Sequence, residues 1–170
     1  MSFFTNLRAD RLIAEIKAAD DSDGHKTSLE KLVRLGSSAI PRILDALASA
    51  DNRETAGFVA VLTALLDNKS FPAVASGLTQ GNQRTVAGAA TALSNSRNYP
   101  ANLLFGLLDQ PAMPKGTVVG ILTAQKSRLN ARDVLQRAYN QDAAEKAAMF
   151  RIVSEIADAS IVPELLSRLE

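Results

Sequence analysis

The chain has 170 residues, of which 46% are apolar, 22% charged and 5% aromatic, with a net charge of +1 and no cysteine. That length suits one domain burying roughly 70% of its unfolded surface, and the apolar share excludes a disordered chain. The near-neutral balance argues against a general phosphate-backbone binder, and the missing thiols exclude disulfides, thiolate metal sites and cysteine catalysis.

Ala and Leu dominate and no segment alternates with period two, so the chain reads as helix throughout. The start, Met1 to Asn6, lacks a basic region followed by a long apolar one, and no stretch approaches roughly 18 uninterrupted apolar residues. A soluble cytoplasmic protein is expected. In chain order, first helices (A) are expected near 5–18, 38–49, 70–79, 98–109, 128–139 and 160–169. Second helices (B) are expected near 25–35, 53–67, 82–95, 114–125 and 142–157. Thr27 with Glu30, Asp51 with Glu54, and Asp142 with Glu145 have the spacing of capping boxes. Pro41, Pro72, Pro100 and Pro163 fit the first turns of A helices, where a missing N–H is harmless. Gly36 and Gly81 suit left-handed helix stops.

The stretches 39–47, 70–78, 98–104 and 161–169 resemble one another, and their prolines are spaced 31, 28 and 63 residues apart, the last about two periods. A helical period of about 30 implies stacked supersecondary units. A proline-headed A helix, a short turn and an Ala-rich B helix ending in Leu-x-x-Leu-Asp resembles the HEAT repeat family, closest to the short units also found in phycobilisome lyases. Leu62 to Pro72 and Val153 to Pro163 carry that pattern in register. The resemblance covers about 24–170 and implies a right-handed α-solenoid of about five helix pairs, roughly eleven helices. Residues 1–23 would be an N-terminal capping helix, and 160–170 the first helix of a further repeat, truncated or covered by another copy. Leu169-Glu170 also suits a cloning remnant. The unit at 100–125 departs from the pattern, with Pro111 and Pro114 both in its turn, and the unit opening at Leu129 has no proline.

Arg53, Arg84, Lys115 and Lys146 recur every 31 residues in the expected first turns of B helices. A cation there opposes the helix dipole, so helix stability alone does not account for them. Two readings stand: bonds to carboxylates or carbonyls of the neighbouring unit, or a ridge that docks an acidic partner segment. In register, Ala56, Ala87, Val118 and Met149 form one column, and Val59, Ala90, Ile121 and Ile152 another. Both are expected at the inter-repeat seam, with Gly57, Gly88 and Gly120 beside them to allow close approach. Residues 70–114 hold only Arg84, Arg97 and Asp109 as charges, which suits a bland surface or one covered by a partner or second copy.

Lys126, Arg128, Arg132 and Arg137 against Asp133 invite phosphate, but interleaved aromatics are wanting apart from Tyr139. Some HEAT-like proteins are DNA glycosylases that use tryptophan, and this chain has none. Asp20-Asp21-Ser22-Asp23-Gly24 resembles a calcium loop, but Ala19 and Lys26 occupy its wrong positions, and an aspartate-capped turn fits better. The sole histidine, His25, is expected to be exposed.

These features point to a non-enzymatic protein-interaction scaffold, a regulatory segment of a larger protein. It would need no cofactor or metal, and would present Arg53, Arg84, Lys115 and Lys146 to a protein or peptide partner, acidic in character. Neither membrane nor nucleic acid is expected as partner, while self-association through 70–114 or the last helix is open. The alternatives are a bilin lyase-like enzyme or chaperone, implied by the family resemblance, and a nucleic-acid-binding HEAT-like protein.

Overall fold

Short polar side chains set where the helices begin. The computed structural model describes residues 3–19 and 21–166, and contains eleven α-helices among them. By internal contacts the chain divides into two units, Met1–Tyr99 and Pro100–Glu170. The first holds α1 (Phe3–Ala18), α2 (Ser22–Arg34), α3 (Ile40–Leu47), α4 (Asn52–Leu65), α5 (Phe71–Ala75) and α6 (Gln83–Asn95). The second holds α7 (Leu103–Leu108), α8 (Lys115–Ala124), α9 (Ala131–Ala138), α10 (Ala143–Ile156) and α11 (Val162–Leu166).

At α4 the capping box forms in both directions: Glu54 N–H donates to Asp51 Oδ1 at 2.8 Å, and Asp51 N–H to Glu54 Oε2 at 3.0 Å. Asn82 and Asn130 cap α6 and α9 by accepting from the first-turn amides. The box expected at Thr27 and Glu30 does not start a helix. Asp21 caps α2 instead, accepting from Gly24 N–H at 2.5 Å, which leaves Thr27 and Glu30 in the helix interior. Asp142 stands at the start of α10 with extended backbone and no side-chain cap bond. Gly36 stops α2 at φ 73°, as expected, whereas Gly81 has no positive φ. There the chain turns through a 3₁₀ segment, Ser76–Thr79, and leaves it extended at Gln80.

α3 and α5 are shorter than expected because 3₁₀ turns take their ends. One precedes α3 (Gly36–Ala39) and one follows α5. Pro41 and Pro72 sit in the first turns of α3 and α5, but Pro100 precedes α7, which begins only at Leu103.

In the first unit α1 packs on α2 and α3, α2 on α4, and α4 on α6, while α3 also meets α4, α5 and α6. Ile43, Leu44 and Leu47 of α3, Phe58 and Leu62 of α4, and Leu93 of α6 are fully buried. Tyr99 closes this core: its ring lies 5.0 Å from that of Phe71, and its hydroxyl donates to the Leu93 carbonyl at 2.5 Å. Two glycines let the layers approach. A Cβ on Gly77 would lie 2.8 Å from Ala89 Cβ, and one on Gly88 2.7 Å from Leu47 Cδ1. Gly120 meets nothing within 4 Å, so the expected close approach does not occur there. In the second unit α8 packs on α7 and α10, and α9 on α10. Val118, Leu122, Val134, Leu135, Met149 and Ile152 form its core.

Ahead of α5, Asp67 Oδ1 accepts from the backbone N–H groups of Ser70 (2.7 Å) and Lys69 (2.8 Å). The Ser70 amide, then the Ser70 hydroxyl, hold this carboxyl below the usual carboxylate range. A lowered folded value contributes stability that is complete above the unfolded value and lost as pH falls through the folded one. Asp67→Ala should therefore lower the melting temperature at neutral pH, and the gap to the parent chain should begin to close as pH falls below about 4 and narrow further in stronger acid. Calorimetry at stepped pH checks this; a gap that widens in acid is incompatible with it. The glycines give opposite expectations. Gly77→Ala should destabilise by about 1–3 kcal/mol, because Ala89 Cβ cannot turn away. Gly120→Ala, mid-helix and unobstructed, should stabilise by up to about 1 kcal/mol. Urea unfolding of both variants measures the signs.

Candidate functional site: a groove between two helices of the first unit

Arg53 and Arg84 each occupy the second position of a B helix, α4 and α6. Arg53 Nη2 donates to the Asp21 carbonyl at 2.8 Å and Nη1 to that of Ala19 at 3.3 Å. Arg84 Nη1 donates to the Ala50 carbonyl at 2.7 Å, and Asn82 Nδ2 to that of Ala48 at 3.4 Å. Ala19 follows α1, and Ala48 and Ala50 follow α3. A helix C-terminus presents unpaired carbonyls and partial negative charge. The guanidinium is thus misplaced with respect to its own helix and well placed beside the end of an earlier A helix, α1 for Arg53 and α3 for Arg84.

Lys115 and Lys146 do not repeat this geometry. Lys115 is the first residue of α8 and Lys146 the fourth of α10, both half-buried, and neither makes a side-chain hydrogen bond or ion pair among the described residues. Burial explains the difference. The inward positions of α4 and α6 include Gly57, Phe58, Val61 and Leu62, then Gly88, Ala89, Ala92 and Leu93, 31 residues on. In α8 they are Val118, Val119, Ile121 and Leu122, and the step from Ala92 to Leu122 is 30. One residue turns a helix by about 100°, so a 31-residue frame rotates off the core after α6.

The two columns expected at the seam change face accordingly. Val118, Met149, Ile121 and Ile152 are buried, as that reading requires. Ala56 and Ala87 are instead exposed, and Val59 and Ala90 half-exposed. Ala56, Val59 and Ala87 line an open groove beside α4 and α6. It consists of two adjoining hollows of about 750 Å³ and about 440 Å³ that share Ala56, Val59 and Thr91. Asn52 and Arg84 stand in the smaller hollow, and Asn95, Arg97 and Asn98 in the larger. No carboxylate lines either. Thr63 and Thr91 donate their hydroxyl protons to the carbonyls of Val59 and Ala87, both at 2.8 Å, and so offer the groove a methyl group and an acceptor oxygen. Part of the charge-poor stretch 70–114 forms this wall.

In the second unit the four basic residues Lys126, Arg128, Arg132 and Arg137, whose charge alone would suit phosphate, all have partners. Lys126 pairs with Glu155, Arg132 with Glu164 at 3.5 Å, and Arg137 with both oxygens of Asp109 at 2.7 and 2.6 Å. Arg128 donates to Gln125 Oε1 at 3.0 Å. His25, expected to be exposed, is buried instead. It packs on α4 at Gly57, where a Cβ would lie 3.1 Å from its Nε2, and its Nδ1 has no hydrogen-bond partner. Among the described residues no cluster of His, Asp and Glu is placed to hold a metal, and Asp20 lies outside them. On α11, Val162, Leu165 and Leu166 are exposed, Ile161 just before it is buried, and Leu169 and Glu170 lie outside the described residues. No helix among the described residues is long and apolar enough to cross a membrane.

Comparison with protein-family models, with curated proteins and with solved structures finds no match to this chain.

If the arginine contacts hold the first unit together, truncating them should register as stability. Arg84→Met is expected to lower the unfolding free energy by about 1 kcal/mol, whereas Lys115→Met should leave it unchanged. Equal melting temperatures for the two variants would remove the structural role assigned to Arg84.

Proposed function

We propose that this chain is a non-enzymatic protein-interaction module built from HEAT-like helix hairpins in a solenoid, and that the groove along α4 and α6 is where its partner binds. Two features of the first unit support the hairpin repeat. Alternate helices contact one another in series, α2 with α4 and α4 with α6, α1 with α3 and α3 with α5. The bonds from Arg53 to Ala19 and from Arg84 to Ala50 each span 34 residues, as does that from Asn82 to Ala48. A translational repeat produces such recurrence because every unit meets its neighbour in the same way.

The groove carries the binding reading. Residues that a repeat interface would bury are here open to solvent, and they are small, so a partner backbone can come close. Methyl groups, threonine oxygens, side-chain amides and two guanidinium groups make a surface suited to holding an extended chain by many modest contacts.

Selection from a displayed library of random peptides tests this. Enriched peptides should bind the parent chain and lose binding to Thr91→Trp, which fills the shared part of the groove from an exposed position. Circular dichroism should show that variant folded. Failure to enrich any sequence, or enriched sequences indifferent to Thr91→Trp, would sink the reading.

A further inference from the structure

We infer that the occupant of the α4–α6 groove is an extended acidic peptide segment, with one of its carboxylates seated on Arg84. This deepens the interaction-module reading and rests on it.

The sign of the site comes first. The lining of the two hollows contributes Arg84 and Arg97 and no carboxylate. Among these lining residues an acidic segment meets opposite charge at Arg84 and no carboxylate, whereas a basic segment meets repulsion there. Arg84 is also prepared for its task. A guanidinium has five N–H donors, and among the described residues this one commits Nη1 to the Ala50 carbonyl at 2.7 Å. That bond fixes the planar group in place. Arg84 lines the smaller hollow, where a carboxylate can accept from donors that the Ala50 bond leaves over. Little side-chain freedom is left to lose on binding.

Length fits as well. Arg84 lies in the first turn of α6 and Arg97 just beyond its end. A helix of 13 residues is about 20 Å long. About six residues of extended chain cover that distance, so a segment with one carboxylate on Arg84 runs the length of the groove. Along it the methyl groups of Ala56, Val59, Ala87 and Thr91 favour small or branched apolar side chains. No aromatic ring lines the groove, and a nucleic-acid strand would find nothing to stack upon.

The test uses the full chain and a fluorescein-labelled octapeptide of alternating glutamate and valine, followed by anisotropy. Ala87→Glu is the informative variant. Position 87 is exposed, three residues from Arg84 on the same helix face, and glutamate suits a helix there. Binding of the acidic octapeptide should weaken at least about tenfold in Ala87→Glu, with an unchanged melting temperature, and should tighten in Ala87→Lys. Added salt should weaken it in the parent chain. A lysine–valine octapeptide binding as well as the acidic one, or no loss in Ala87→Glu, overturns the inference. So does an oligothymidylate that binds more tightly than the peptide, in favour of nucleic acid. Library peptides that are neutral or basic yet blocked by Thr91→Trp overturn the acidic occupant while leaving the interaction module standing. No peptide sensitive to Thr91→Trp removes both.

Discussion

The carbonyl groups left unpaired at the end of one helix are the fixed points of the first unit. Every α-helix closes with acceptors that its own amides cannot reach. Just beyond α1 and α3 the carbonyls of Ala19, Ala48 and Ala50 are met by side chains from the start of α4 and α6 respectively, through Arg53, Asn82 and Arg84. The rule that disfavours a cation at a helix N-terminus is obeyed at the level of the pair of elements, though broken within the single helix. Packing then follows. With the turn after α3 tied to α6, Leu47 is set against Gly88 and Leu44 against Gly77, approaches that a larger residue at either glycine would obstruct.

Much of this was legible from residue patterns, for identifiable reasons. Helix alternation could be read because Pro41 and Pro72 mark first turns and Asp51 with Glu54 marks a start, all through local chemistry that tertiary packing does not override. The start of α2 is ambiguous in the sequence because two acceptors compete. Thr27 has a carboxylate at the right spacing, but Asp21 lies earlier and has the small Gly24 amide to cap, so the helix gains its first turn there. The shorter A helices were not legible, since 3₁₀ turns at Gly36–Ala39 and Ser76–Thr79 satisfy the same apolar spacing over one turn.

The candidate site was half legible. Arg53 and Arg84 stood out because residues of their type oppose their own helix dipole. The groove itself is not legible in the sequence, because equal numerical spacing does not guarantee equal orientation. From Ala92 to Leu122 the frame loses one residue, and the columns that contain Ala56 and Ala87 point to solvent on one side of that step and to the core on the other. No local signal near Pro100, Pro111 or Pro114 states which way the helix rotates. His25 was misjudged for a related reason: a polar neighbourhood in the chain says nothing about Gly57, some thirty positions later, which makes room for the ring.

The recurrence of bonds 34 residues apart also bears on how the first unit reaches its native form. A tie between Ala19 and Arg53, or Ala50 and Arg84, encloses only a short loop, and the entropy of closing a loop rises with its length. Assembly can therefore advance by successive nearby closures, with no early pairing of distant segments, and topologies of that kind lie at the fast end of folding rates. The same locality means that loosening one pair of helices need not dissolve its neighbour.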